Sequence, residues 1–154
     1  MNVLYNKSAL SVFESEISRF GVIETGGVLL GWWEKETLVV SIATNAGPNA
    51  THENFYFQAD SNYIDMIIDM EHANSNGKVN YVGEWHTHPQ VNPQPSQVDL
   101  VSLDEIVESS RKPNLLLIIG AIDFTQKKFI DQSISIIKRP NDRRYFKLEP
   151  LIEN

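Results

Sequence analysis

Apolar residues recur along this chain with two different periods, and the switches between them predict the order of its helices and strands. Four of them, early in the chain, share one face of a predicted helix: Leu10, Phe13, Ile17 and Phe20. Ser8 precedes this group as a candidate N-cap. A second helix is predicted after Asp60 or Ser61, and a third after Ser96, because these side chains can cap a helix N-terminus.

Short apolar runs between the helices predict strands, bounded by glycine, proline and asparagine. These runs span 26–31, 37–43, 79–88, 115–119 and 129–137. Residues 44–54 contain several strong breakers and are predicted to form a loop. The resulting order is helix, strand, strand, helix, strand, helix, strand, strand. It favours an α/β or α+β sandwich, with helices packed on the faces of one mixed sheet.

Composition narrows the class of protein further. The 154 residues suffice for one ordinary domain, and an acidic excess that gives a formal charge of −7 argues against nucleic acid as a partner. No apolar run approaches the roughly 20 residues needed to cross a bilayer, and residues 1–10 do not resemble a signal peptide. We therefore expect a cytoplasmic protein without a membrane partner. The absence of cysteine excludes disulfides, thiolate zinc sites and cysteine proteases.

Two histidines and an aspartate have the spacing of a metal site. His86 and His88 are two residues apart in a predicted strand, so both imidazoles lie on one face. Such pairs also occur without metal, but two converging neutral imidazoles are a half-site for a divalent cation, most often zinc. Asp99 falls in the first turn of the third helix, where the helix dipole keeps it ionised, and can supply a third ligand. Three protein ligands leave one tetrahedral position open, which is typical of catalytic zinc.

Hydrolysis at an open zinc also requires a base and an oxyanion donor. The Ser96 hydroxyl is a candidate donor, although Ser96 and Asp99 also match a helix capping box. Glu24, just before the glycine-framed strand, is the preferred base. Glu84 is a rival, since residues 84, 86 and 88 share a strand face. His52 either lines a substrate groove or bonds a loop carbonyl, and the second role is favoured.

The complete set of residues resembles the JAMM motif of the MPN-domain metalloproteases. The matching residues are Glu24, the segment 25–31, Gly83, His86, His88, Pro89, Ser96 and Asp99. The resemblance runs from roughly residue 10 to residue 120. It implies an α/β fold, the cytidine-deaminase-like α–β–α sandwich with a mixed sheet. The whole chain, 1–154, is then one domain, with a core at about 8–138 and a C-terminal extension at 139–154.

The same resemblance implies a role for each site residue. Zinc (Zn²⁺) would be held by His86, His88 and Asp99. The catalytic carboxylate would be Glu24 rather than Glu84. The oxyanion would be stabilised by Ser96. A nucleoside deaminase shares this fold but uses cysteine ligands, which this chain lacks.

The resemblance also implies a class of substrate. Members of the family hydrolyse isopeptide or peptide bonds at the C-terminus of ubiquitin or a ubiquitin-like protein. The small bacterial subgroup accompanies proteins similar to ubiquitin-activating (E1) and ubiquitin-conjugating (E2) enzymes, often in anti-phage systems. There it removes a cyclic nucleotide synthase conjugated through its extended C-terminal tail. The alternatives are a non-catalytic MPN scaffold that binds partner proteins, and a peptidase that matures a bacterial ubiquitin-like precursor.

Overall fold

A single eight-stranded mixed sheet organises the protein. The computed structural model describes residues 1–54, 56–89, 92–120 and 123–154. The helices in these ranges are α1 (Lys7–Phe20), α2 (Ser61–Asn74), α3 (Gln97–Ser110) and α4 (Gln126–Asp131). The strands are β1 (Asn2–Tyr5), β2 (Gly26–Glu34), β3 (Thr37–Ala43), β4 (Thr51–Glu53), β5 (Tyr56–Gln58), β6 (Asn80–Thr87), β7 (Asn114–Ile119), β8 (Ser133–Lys138), β9 (Tyr145–Lys147) and β10 (Glu149–Ile152).

The strand order in the large sheet is β10-β1-β3-β2-β6-β7-β8-β9, and β4 and β5 form a separate hairpin. β6 and β7 are parallel, whereas β2 is antiparallel to both β3 and β6. The pairing of β2 with β6 sets Gly26 opposite His86. The segment before β2 is therefore brought to the end of β6.

Helices cover both faces of the sheet, which confirms the predicted sandwich. Alternate residues of the apolar strand β7 point to opposite sides. Leu117 packs into the main core with Phe13 of α1 and Phe129 of α4, while Ile118 packs on the other face with Leu103 of α3. α2 covers that second face beside β2. The gap between α2 and α3 lies over β6.

The predicted helix starts are confirmed for two helices and wrong for the first. Asp60 caps α2 by accepting a hydrogen bond from the Tyr63 amide, and Ser96 caps α3. α1 begins at Lys7 after Asn6, so Ser8 is inside the helix, where its hydroxyl donates to the Ser41 carbonyl instead. The Ser8 hydroxyl therefore bonds the backbone of β3 instead of capping α1.

The prediction of one strand over 129–137 is wrong at its start, because residues 126–131 form α4 and the strand begins at Ser133. The Thr125 hydroxyl caps this short helix, and Phe129 is buried from it beneath Phe13. Apolar residues in so short a segment fit the period of a helix as well as that of a strand. The contact between Phe129 and Phe13 therefore decides that a helix forms. Part of the predicted loop at 44–54 is also the strand β4.

Strands β1, β9 and β10 lie outside the predicted core at 8–138, yet they belong to the same large sheet. β1 is inserted between β3 and β10 and is parallel to both. In the part of the chain that the structure describes, no helix combines the length and the apolar character needed to cross a membrane.

Close strand packing predicts a stability effect at Gly83. A Cβ atom at this position would lie 2.1 Å from the carbonyl oxygen of Leu115 on the neighbouring strand. We expect Gly83→Ala to lower the free energy of unfolding by about 1–3 kcal/mol, because β6 and β7 must separate locally. Urea denaturation of both proteins, with the exposed substitution Ser109→Ala as the reference, measures the difference. Equal midpoints for Gly83→Ala and the wild type would contradict the packing argument.

Candidate metal centre

The end of β6 brings two imidazoles together. His86 is on β6, and the ladder of hydrogen bonds continues past the strand, where the His88 amide donates to the Ile119 carbonyl of β7. This extended backbone keeps both side chains on one face, as the spacing predicts. The two Nε2 atoms are 3.0 Å apart.

The capping box of α3 aims Asp99 at these imidazoles. The Asp99 carboxylate accepts a hydrogen bond from the Ser96 amide, and the Ser96 hydroxyl accepts one from the Asp99 amide. Asp99 Oδ1 is 3.3 Å from His86 Nε2, and its Oδ2 is 3.3 Å from His88 Nε2. The capping interpretation and the site interpretation of Ser96 and Asp99 are thus compatible, because the cap orients the carboxylate.

Glu24 reaches the same place from the loop between α1 and β2. The residue after it, Thr25, exchanges backbone and side-chain hydrogen bonds with Thr87 at the end of β6. The Thr25 hydroxyl also donates to the buried carboxylate of Glu16. Glu24 itself has a carboxylate oxygen within 4.8 Å of nitrogen atoms of both His86 and His88.

His52 ties this loop to the β4–β5 hairpin. Its Nδ1 donates a hydrogen bond to the Glu24 carbonyl at 3.2 Å, and its ring stacks on Phe20 with centroids 3.8 Å apart. The favoured role of His52, to bond a loop carbonyl, is therefore confirmed. The sequence carries no signal for which loop folds beside His52. It therefore does not predict that the carbonyl belongs to Glu24.

The donor set suits a small divalent cation. Zinc bonds of about 2.0–2.2 Å in tetrahedral geometry put ligand atoms about 3.3–3.6 Å apart. The three atom pairs among His86, His88 and Asp99 are at 3.0–3.3 Å. The group of Glu24, His86 and His88 could hold a metal as well, but within a looser limit of 4.8 Å. The residues present therefore fit a divalent metal ion, and the donor atoms that lie nearest one another are those of the two imidazoles and the Asp99 carboxylate.

Electrostatics favour the charged state of Asp99. Burial works against ionisation, but hydrogen bonds and charge from His86 and His88 hold the pKa of Asp99 well below its usual range. Burial also lowers the pKa of His88, yet the adjacent Asp99 carboxylate outweighs it, so the net shift is upward. Burial raises the pKa of Glu24, an effect that the two imidazoles only partly offset.

Glu84 lies on the same face of β6 as His86, as periodicity predicts, but in different surroundings. Burial raises the pKa of Glu84, whereas its interaction with the Tyr81 hydroxyl acts in the opposite direction. The Tyr81 hydroxyl also interacts with the side chain of Asn114 on β7. Among the described residues, Glu84 does not belong to the group whose donor atoms lie near enough to one another to share a metal ion.

A cavity of about 710 Å³ runs over β6 between α3 and the β4–β5 hairpin. All five residues singled out by the motif line it, and so does Glu84. The hairpin wall contains Tyr56 and Phe57, which the sequence did not mark as site residues. Their signal in the sequence is a run of three aromatic residues at 55–57, and this does not specify a groove. The exposed Ser96 has its hydroxyl at the edge of the cavity.

The chain matches the family model described as prokaryotic homologues of the JAB domain over residues 13–133. This span includes every residue of the candidate site. The chain is also similar to curated bacterial proteins. A CD-NTase/cGAS isopeptidase of Escherichia coli (strain TW11681) is 28% identical over 116 residues, which are 75% of this chain and 74% of that protein. A CD-NTase/cGAS isopeptidase of Vibrio cholerae is 30% identical over 116 residues, 75% and 74% of the two chains.

Two further similarities extend the comparison. A probable metalloprotease of Sinorhizobium fredii is 30% identical over 121 residues, which cover 74% of this chain and 73% of that protein. The solution structure of a protein from Desulfitobacterium hafniense superposes with a TM-score of 0.63 at 15% identity, covering 99% of this chain and 93% of the other. At that identity the superposition supports the fold alone.

Proposed function

Since the chain belongs to the family of prokaryotic homologues of the JAB domain, a hydrolytic family, we propose that it is a zinc-dependent isopeptidase. Curated relatives carry the names isopeptidase and metalloprotease. The observation that carries the proposal is the triangle of His86, His88 and Asp99, with the Glu24 carboxylate beside it. A scaffold that binds partners without catalysis has no need of such a donor set.

The proposed roles combine these distances with the roles that the resemblance to the JAMM motif implies. His86, His88 and Asp99 hold the zinc ion, which supplies Lewis acidity toward water and the scissile carbonyl when it is bound. Glu24 has a carboxylate oxygen within 4.8 Å of both imidazoles, and its raised pKa suits a group that must take up a proton and release it. It takes a proton from the attacking water and passes it to the leaving amine. The Ser96 hydroxyl donates a hydrogen bond to the oxyanion.

The proposed substrate is a protein whose extended C-terminal tail is joined to a target amine. The relatives named CD-NTase/cGAS isopeptidase support a cyclic nucleotide synthase as that protein, in place of a ubiquitin-like protein. The long cavity between α3 and the hairpin accommodates an extended chain, and β5 borders it. We propose that the tail lies along β5 as an added strand. The conjugates would be made by E1- and E2-like proteins of the same system.

Cleavage of defined conjugates tests this function. The purified protein, loaded with zinc, is incubated with a cyclic nucleotide synthase joined through its C-terminus to a lysine side chain, and with the linear fusion of the same two partners. Release of the intact synthase from the lysine is the expected result, and a chelator should abolish it. Stable binding of a partner without any cleavage would favour the scaffold, and cleavage of the linear fusion alone would favour a maturing peptidase.

His52 is expected to act by positioning Glu24. We expect His52→Ala to lower kcat about tenfold with little change in KM, because the loop that carries the carboxylate loses its hydrogen bond. His52→Asn should restore most of the rate, since its amide can donate from nearly the same position as Nδ1. Steady-state kinetics of the two variants make the comparison.

The chain offers a matched control for this prediction. His72 also donates from Nδ1 to a backbone carbonyl, that of Val79, at 3.2 Å, but it does not line the cavity. His72→Ala should therefore leave kcat unchanged below the unfolding temperature. If His52→Ala and His72→Ala have the same kinetics, His52 has no positioning role.

A further inference from the structure

Glu84 is a carboxylate that the proposed chemistry does not use. It lies in the floor of the cavity, two residues from His86 along β6. No ion pair with a lysine or arginine is formed by Glu84 within the described ranges, and no such residue lines the cavity there. A partly buried carboxylate is costly unless a cation or several hydrogen bonds compensate it. Glu84 interacts with the Tyr81 hydroxyl and with the imidazole of His86.

The charge of the cavity leaves Glu84 unbalanced even with metal bound. The lining contains three carboxylates, those of Glu24, Glu84 and Asp99. A divalent cation between the imidazoles balances Glu24 and Asp99, which surround it. Glu84 has no such cation beside it among the described residues, and it lines the space that the substrate must enter. Such a cavity attracts a cationic group.

The walls around Glu84 have the character needed by a long cationic side chain. Leu116 of β7 is the cross-strand partner of Glu84, and its side chain lines the cavity. The lining also includes the apolar Ile106 and the polar Ser102 of α3 and Asn114 of β7. Lysine and arginine combine an aliphatic stem with a charged end, so the stem can pack on the apolar wall while the end meets the carboxylate.

We propose that Glu84 and its neighbours form a specificity subsite for a lysine or arginine in the substrate tail, a proposal that rests on the isopeptidase function above. The position follows from strand geometry. Two residues of an extended chain span roughly 7 Å, and this is the separation of Glu84 from His86 along β6. A tail that is added to β5 and crosses the cavity over β6, with its scissile bond at His86, therefore puts its third residue, counted back from that bond, over Glu84.

A scan of the third tail residue tests the subsite. Conjugates with Arg, Lys, Gln, Leu or Glu at this position are cleaved by the wild type, by Glu84→Gln and by Glu84→Arg. We expect kcat/KM to be about tenfold higher for Arg than for Gln in the wild type, as for a hydrogen bond between charged groups. The ratio should fall to about one in Glu84→Gln, and Glu84→Arg should prefer Glu. Glu105→Gln, an exposed acid on α3 outside the cavity, changes the net charge equally and should keep the preference.

Binding of the free tail peptides, measured by calorimetry, needs no turnover and separates the two proposals. Cleavage without a preference for Arg, or with the same preference in Glu84→Gln, would overturn the subsite while the isopeptidase function stands. No cleavage of any tail, together with Arg-selective binding that Glu84→Gln abolishes, would leave the subsite standing without the function. The wild-type scan decides even if a variant at Glu84 fails to fold.

Discussion

The zinc-loaded Glu24→Gln protein is expected to cleave a conjugate about a thousandfold more slowly than the wild type, with an unchanged content of metal. Glutamine has nearly the same shape, so the loop tied by Thr25 and His52 should keep its course. It cannot accept a proton at neutral pH, and general acid–base catalysis of this kind contributes about 10²–10⁴-fold in rate. Single-turnover kinetics, with zinc measured by elemental analysis, provide both quantities.

This experiment also decides between the two candidate bases. If Glu84 were the base, Glu24→Gln would remain active. Glu84→Gln would then lose about a thousandfold in cleavage rate on every tail, including tails with Gln at the third position. Glu53→Gln is the matched control, because Glu53 is an exposed glutamate of the neighbouring hairpin. Full activity in Glu24→Gln would remove Glu24 from the mechanism.

Asp99→Asn is expected to cause the second large loss, that of the metal itself. An amide oxygen carries no charge and is a poor zinc ligand. Loss of a residue that only supports a ligand lowers metal affinity by up to about a hundredfold, so the loss of a ligand itself should lower the affinity for zinc by more than that. Activity at limiting zinc should fall with it. Asparagine can still accept the hydrogen bond from the Ser96 amide, so the start of α3 should persist. A competition titration with a chromophoric chelator measures the affinity.

Two variants separate the metal from the helix cap in this prediction. Ser96→Ala removes the hydroxyl that caps α3, which should cost about 1 kcal/mol of stability, while all three donors stay in place. Its zinc content should equal that of the wild type. Asp69→Asn alters an exposed aspartate of α2 and should change neither quantity. If Asp99→Asn binds zinc as tightly as Asp69→Asn, Asp99 is not a ligand.

The motif residues could be found from the sequence because each depends on a local pattern. The pair His86 and His88 needs only the two-residue period of a strand, and Ser96 with Asp99 needs only the start of a helix. The structure adds that these two local patterns meet, with Asp99 3.3 Å from each imidazole. The chemical roles of these residues stay predictions until the variants above are measured.

Other elements could not be found because their signal is not local. β1 has four residues and pairs with β10, whose sequence lies at the other end of the chain. The strand β4 is even shorter, and the hairpin that it forms with β5 borders the cavity opposite α3. The last three residues of α4, 129–131, fall within the predicted strand, because the contact of Phe129 with Phe13 of α1 outweighs a weak period in a short segment.

The amino-acid sequence alone determined the two-period pattern, the helix cap at Ser96 and the types of side chain that form the candidate metal centre, because each results from interactions within a few residues. It narrowed the cap of α2 to Asp60 or Ser61, and the structure shows Asp60. Only the tertiary structure decided how near these donors lie, which loop His52 supports, and that Glu84 lines a cavity whose described lining residues include no lysine or arginine. The pairing of β2 with β6 joins Glu24 to His86 across more than sixty residues of chain. Such a contact depends on the packing of the whole sheet, which no local period encodes.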